Sequence, residues 1–377
     1  MNQKTLLIVA SFSILALVAG CGGAKDTENV KRIDLKEPRV AGIMGDANHL
    51  GAYSWGFYGK GLEEKWVYSA ENIITSHPSV VFGKAFFADM DGNIHCVNLE
   101  NGQKVWSVKL DGNIEGAIFA DISKVYAATK NGHIYCIDQA DGNIKSHLKE
   151  DASFRGSVVV SNSRLYLGSE GGKLGCYNKD SLHNYWSFDS GGEISCTPGV
   201  ASGKLVFGTR RGKVFCLDKE DAQKSWEIQV EDGMVSVVSL NDNYAYMVVG
   251  DAQLICLDLV NGKKLWEFKK GDKVTSPSLC KNFAYIGSDY DTVYCLDAKT
   301  GAQVWEKPVN DNVFGAPFAT NDSVVVGSDT KEVLGLDPET GNTLWKVDTK
   351  EAVNTTPVAL DDTLLVVQEN KLICYSK

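Results

Sequence analysis

From about residue 62 to the C-terminus, short apolar runs alternate with small clusters of turn-forming residues, and no helical stretch of useful length interrupts them. The segment Val274 to Val309 shows the pattern. Thr275–Leu279, Phe283–Gly287, Thr292–Leu296 and Gln303–Glu306 are each rich in β-branched and aromatic residues with period-two alternation, so each predicts a strand. Turn chemistry separates them throughout the chain. Asp91-Gly92, Asn131-Gly132 and Arg211-Gly212 join second to third strands. Asn101-Gly102, Asp141-Gly142, Asn261-Gly262, Thr300-Gly301 and Thr340-Gly341 join third to fourth. Glycine supplies the positive φ that tight hairpins require.

The four-strand unit repeats. Cys96, Cys136, Cys176, Cys216, Cys256 and Cys295 recur every 40 or 39 residues, and Cys374 follows after one further unit whose equivalent position is Gly335. Trp66, Trp106, Trp186, Trp226, Trp266, Trp305 and Trp345 keep the same spacing, with Ser146 breaking the series. A unit of this size cannot bury both faces of its sheet alone, and radial stacking around an axis solves that problem. A parallel β-helix is the rival, but its repeat is shorter and lacks hairpin turns. The expectation is an all-β, eight-bladed propeller of four-stranded antiparallel blades. Its last unit stops inside its third strand, and Glu64–Tyr68 lies in fourth-strand register. The N-terminal strand is therefore expected to pair with the C-terminal blade and close the ring.

Residues 1–20 predict a signal peptide: Lys4 gives a short positive region, and Thr5 to Ala19 are apolar or small. Val18-Ala19-Gly20-Cys21 resembles the bacterial lipobox, which implies lipidation of Cys21; an ordinary secretory signal with an incidental cysteine is the alternative. Gly22, where an aspartate would mark inner-membrane retention, favours the outer membrane. Residues 21–38 are polar and charged and read as a lipid-anchored flexible tether, leaving 39–377 for the propeller.

The net charge of −10, with no basic stripe or polybasic patch, argues against nucleic acid and against electrostatic membrane binding. Cysteines in an exported protein raise the question of disulfides. Equivalent third-strand positions in neighbouring blades would lie roughly 14 Å apart, whereas bridged Cα atoms need about 4.4–6.8 Å. They read as small buried hydrophobes. The same spacing excludes metal ligation, and no CxxC or HxxxH occurs. His49, His77, His95, His133, His147 and His183 are scattered and default to surface or loop roles.

Cys295-x-Asp297-x-x-x-Gly301-x-x-x-Trp305 resembles the tryptophan-docking motif of pyrroloquinoline-quinone (PQQ) propellers. Cys256, Asp258, Gly262 and Trp266 match, as do Gly335, Asp337, Gly341 and Trp345; blades three and four replace the glycine with Leu182 and Ala222. With the lipobox and eight repeats, the chain resembles the family of the outer-membrane assembly lipoprotein BamB over roughly residues 40–377. That resemblance implies tryptophans packed between blades, as their fixed radius also does. It implies a monomeric, non-enzymatic scaffold without cofactor, held by lipid at the periplasmic face of the outer membrane. Its partner would be a protein, the β-barrel assembly machinery. Met44–His49 also resembles the lead-in of PQQ-repeat lipoproteins outside the assembly factors. The alternative is a PQQ-dependent dehydrogenase or a small-ligand-binding propeller. Such enzymes need a metal held by carboxylates, a catalytic aspartate and long inserted loops; the sequence offers no catalytic set, no adjacent cysteine pair and only tight unit spacing.

Three residues before the first-strand proline position stand Thr75, Glu115, Arg155, Ser195, Val235, Val274, Phe314 and Asn354. Only Glu115 and Arg155 are charged, and consecutive blades carry them, so they are expected to pair at the channel mouth. Glu170, Arg210, Arg211, Asp289, Tyr290, Asp291 and Asp329 fall in second-to-third-strand turns, a charged rim suited to protein binding or simply solvated.

Overall fold

The computed structural model describes residues 56–377, except 232, 234, 235, 251 and 310, and the backbone of two short strands, Val40–Ala41 and Ala52–Tyr53. The expected signal peptide and tether (residues 1–38), with Cys21, the 44–49 lead-in and Val235, lie outside the described residues. Eight antiparallel sheets form the eight blades. Seven are continuous in sequence, at 79–109, 119–149, 159–189, 199–229, 239–269, 278–308 and 318–348. The eighth joins Val358–Leu360, Thr363–Gln368 and Lys371–Ser376 to Glu63–Ser69, which supplies its outermost strand. Trp66 pairs with Cys374 there, so the ring closes through the N-terminal strand as its register requires.

The two repeating residue series turn out to be cross-strand partners. Cys96 faces Trp106, Cys176 faces Trp186, Cys216 faces Trp226, Cys256 faces Trp266, and Cys295 faces Trp305. Beside each of these pairs the outer strand bulges by one residue, Val105, Tyr185, Ser225, Leu265 or Val304, which leaves that residue without a partner on the third strand. Gly335 has no side chain for a local reason: a Cβ would lie 1.9 Å from the Trp345 ring.

In blade six the first strand is Ser278–Cys280 and begins later than the Thr275–Leu279 run predicts. Pro277 has no N–H to donate. Thr275 bonds across to Gly287 instead, donating its N–H to that carbonyl and accepting the Gly287 N–H on its hydroxyl. Cys196 likewise precedes the strand Gly199–Ala201 rather than lying in it.

Two kinds of connection sort to two faces. The second-to-third turns and the blade-to-blade connections share one face, which we call the loop face. Backbone bonds such as Lys130 N–H to Asn113 O and Arg210 N–H to Glu193 O tie them together. The first-to-second and third-to-fourth turns share the opposite turn face, joined by bonds such as Leu99 N–H to Gly83 O.

The two short N-terminal strands were not foreseen. Val40–Ala41 pairs antiparallel with Val80 and Val81, and Ala52–Tyr53 pairs parallel with Ala319 and Thr320. Both add to the channel side of an innermost strand, in blades one and seven.

Candidate functional site

The joints between blades set the ring's rigidity, and five of them follow one plan. The indole N–H of Trp66, Trp106, Trp226, Trp266 and Trp305 donates to the carbonyl of Leu99, Gln139, Leu259, Ala298 and Pro338 in the next blade, at 2.9–3.1 Å. Each ring lies over a turn glycine of that blade. At Gly102 a Cβ would come 2.6 Å from the Trp66 ring, and the residue sits at φ +69°, so both space and backbone exclude a side chain.

The remaining joints depart from this plan. Trp186 and Trp345 have buried indole nitrogens without a partner. Trp186 and Ala222 pack against one core cluster, and Ala222 holds the left-handed turn (φ 61°) despite its methyl. Beyond Trp345 the next blade has no third-to-fourth turn, because its outer strand begins afresh at Glu63. Phe57 packs edge-on against Trp345 at 5.5 Å, and Gly59 lies against the same ring. At the joint without an indole, Ser146 donates to the carbonyl of Asp180 and Leu182 replaces the glycine.

In blades one and seven the channel wall is lined by the chain's own added strands. His77 accepts the Thr356 N–H at 3.0 Å, and burial pushes its imidazole down to about 4. Among the described residues no three His, Cys, Asp or Glu side chains gather to hold a metal ion.

Glu115 and Arg155 do meet, at 3.5 Å, but not as an isolated pair. Lys130 reaches Glu115 at 2.8 Å, and Arg155 also contacts Glu170. Hydrogen bonds from Ser153 and Arg155 hold the Glu170 carboxyl below the usual carboxylate range. One blade on, Arg210 pairs with Glu193 at 3.1 Å. The result is a ladder of alternating charge along the loop face of blades two to four. Glu115 and Arg155 are 38% and 39% exposed, so solvent screens the ladder and it adds little to stability. Lys130 and Glu193 were missed, because their pairing depends on loops that come side by side only in the ring. Asp289, Tyr290, Asp291 and Asp329 belong to blades six and seven and do not join the ladder. Tyr290 is 68% exposed there and Phe314, on the next connection, 51%.

Histidines His95 and His133 are buried, contrary to the surface role expected, because strand alternation points both into a blade interface. His95 bridges Asp89 (2.9 Å) and the Tyr68 hydroxyl (3.0 Å). His133 bridges His147 (2.6 Å) and Asp111 (3.1 Å). All nine described cysteines are buried free thiols.

Sheets of four strands set in an eightfold ring and locked by indole-on-glycine joints define the eight-bladed propellers with PQQ-like repeats. The chain belongs to the family described as outer membrane protein assembly factor BamB, whose model matches residues 51–181, 172–283 and 273–377. BamB from Moraxella catarrhalis superposes with a TM-score of 0.68 at 15% identity, covering 84% of this chain and 100% of that one. Quinohemoprotein alcohol dehydrogenase from Comamonas testosteroni gives 0.75 at 11% identity, over 89% and 80% of the two chains. A europium-containing methanol dehydrogenase gives 0.72 at 12%, over 88% and 89%. At such identities these likenesses show the fold alone. No curated protein matches the sequence.

Proposed function

We propose that this chain is a non-catalytic scaffold, lipid-anchored through Cys21 at the periplasmic face of the outer membrane, whose loop face holds a protein of the β-barrel assembly machinery. Membership of the assembly-factor family across residues 51–377 carries the reading. The loop face supports it with two unlike surfaces. On blades two to four the Lys130–Glu115–Arg155–Glu170 ladder offers oriented charge, which governs specificity and encounter rate. On blades six and seven, Tyr290 and Phe314 offer apolar anchors of the kind that dominate interfaces. In this reading residues 1–20 are the signal peptide, 21–38 the tether and 39–377 the binding body.

Affinity purification from native outer membranes tests the proposal. The wild-type chain recovers barrel-assembly components, and Arg155→Glu, which places three carboxylates together, recovers fewer. Recovery of none by the wild type overturns the assembly role. Purified protein mixed with PQQ and calcium shows no bound-quinone absorbance and reduces no dye; dye reduction would replace the scaffold with a dehydrogenase.

A further inference from the structure

Five blades pass from first to second strand through a residue in the left-handed region: Phe82 (φ 48°), Asn162 (56°), Ser202 (47°), Lys281 (54°) and Asp361 (54°). Four of these are polar. Phe82 is the exception, a bulky residue in a conformation that disfavours it, and it is 61% exposed. Its ring gains little from packing, so the fold alone gives no return for the strain. An apolar residue held in a strained conformation at a turn tip marks a site kept for something outside the chain. The same turn of the neighbouring blade presents Ile122, 56% exposed. Asp242, in the corresponding turn of blade five, is polar.

A second observation says what lies outside. Val40 pairs with Val81, the residue before Phe82. The chain therefore joins the propeller on the turn face, beside this corner. Cys21 lies 19 residues earlier, a span of at most roughly 65 Å when fully extended.

We propose that the Phe82–Ile122 corner of the turn face dips into the headgroup–acyl boundary of the bilayer that carries the Cys21 lipids. The inference rests on the lipid-anchor reading. Two apolar tips inserting between headgroups need no anionic lipid, which suits a chain of net charge −10. This contact turns the opposite face, with its charge ladder, away from the membrane and toward soluble partners.

The test uses the full lipidated chain in phosphatidylcholine vesicles that contain a phospholipid with a photoactivatable acyl chain. Mass spectrometry maps the adducts. They fall on the Phe82 and Ile122 turns several-fold more often than on the equivalent Asn162 and Ser202 turns, and high salt leaves the ratio unchanged. In Phe82→Asn with Ile122→Ser the adducts disappear while the melting temperature holds or rises, because asparagine accepts the left-handed turn. Equal labelling around the ring, or none at this corner, overturns the inference. So does native-membrane cross-linking of the corner to a protein without any lipid adduct. Mass spectrometry of the N-terminus reports separately on Cys21. If it is unmodified, the anchor reading falls, and labelling of the unacylated chain at saturating vesicle concentration still decides whether the corner meets lipid.

Discussion

Leu182 is the counterpart of Ser146. Where the other seven blade joints place an indole, blade two has Ser146, and where five of those joints have a glycine beneath the ring, blade three has Leu182. Leu182 is 3% exposed and packs in one cluster with Tyr126 and Cys136, the blade-two surface that an indole would cover. It keeps the left-handed turn at φ 57° to do so.

The two positions should therefore be coupled. Ser146→Trp alone overpacks the joint and costs about 1–3 kcal/mol. Leu182→Gly alone empties it; the loss is partly offset by relief of the backbone and comes to about 1–3 kcal/mol. The double variant rebuilds the standard joint and recovers about 1 kcal/mol or more relative to the sum. Urea unfolding of the four proteins measures the cycle, and strict additivity would show that the residues do not share a space.

Indoles should differ in worth according to their partners. Trp66 is 9% exposed, donates to Leu99 and belongs to the strand that closes the ring. Trp66→Ala should cost about 3–5 kcal/mol and speed amide exchange in Lys371–Ser376. Trp186, whose N–H is buried without a partner, should cost less on the same change.

Acid should act on the channel through His77. The unfolded imidazole titrates near 6.5 and the folded one near 4, so between these values the unfolded chain binds the extra proton. Stability is then full above pH 6.5 and falls as pH drops toward 4, by up to ~3 kcal/mol. His77→Asn keeps an acceptor for the Thr356 N–H but cannot titrate. Its urea midpoint should fall less steeply across this interval than that of the wild type.

Thiol chemistry should report global unfolding. Burial pushes Cys96, Cys196, Cys256, Cys295 and Cys374 up to about 12, and only the thiolate is nucleophilic. A thiol reagent should leave the nine described cysteines untouched in the native protein and modify them together in denaturant. Early labelling of one alone would mark a blade that opens by itself.

The repeat, the blade number and the closing strand were legible because each rests on a pattern of two or more residues per unit. Trp66 could be assigned from its register alone. Val40–Ala41 and Ala52–Tyr53 could not, since two residues carry no period and their pairing depends on strand edges that exist only inside the finished ring. The Glu115–Arg155 contact was legible from equivalent positions in adjacent units. Its extension to Lys130, Glu170, Glu193 and Arg210 was not, because loop proximity sets it. The left-handed backbone of Leu182 and Ala222 was hidden for another reason: intrinsic preference opposes it, and packing against the next blade overrides that preference.

Since Glu63–Ser69 finds its strand partner in Lys371–Ser376, a ribosome must synthesise as far as that strand before the ring has a finished shape. Until then one edge of every growing intermediate stays bare, and whatever shields nascent copies from one another has to cover Glu63–Ser69 throughout.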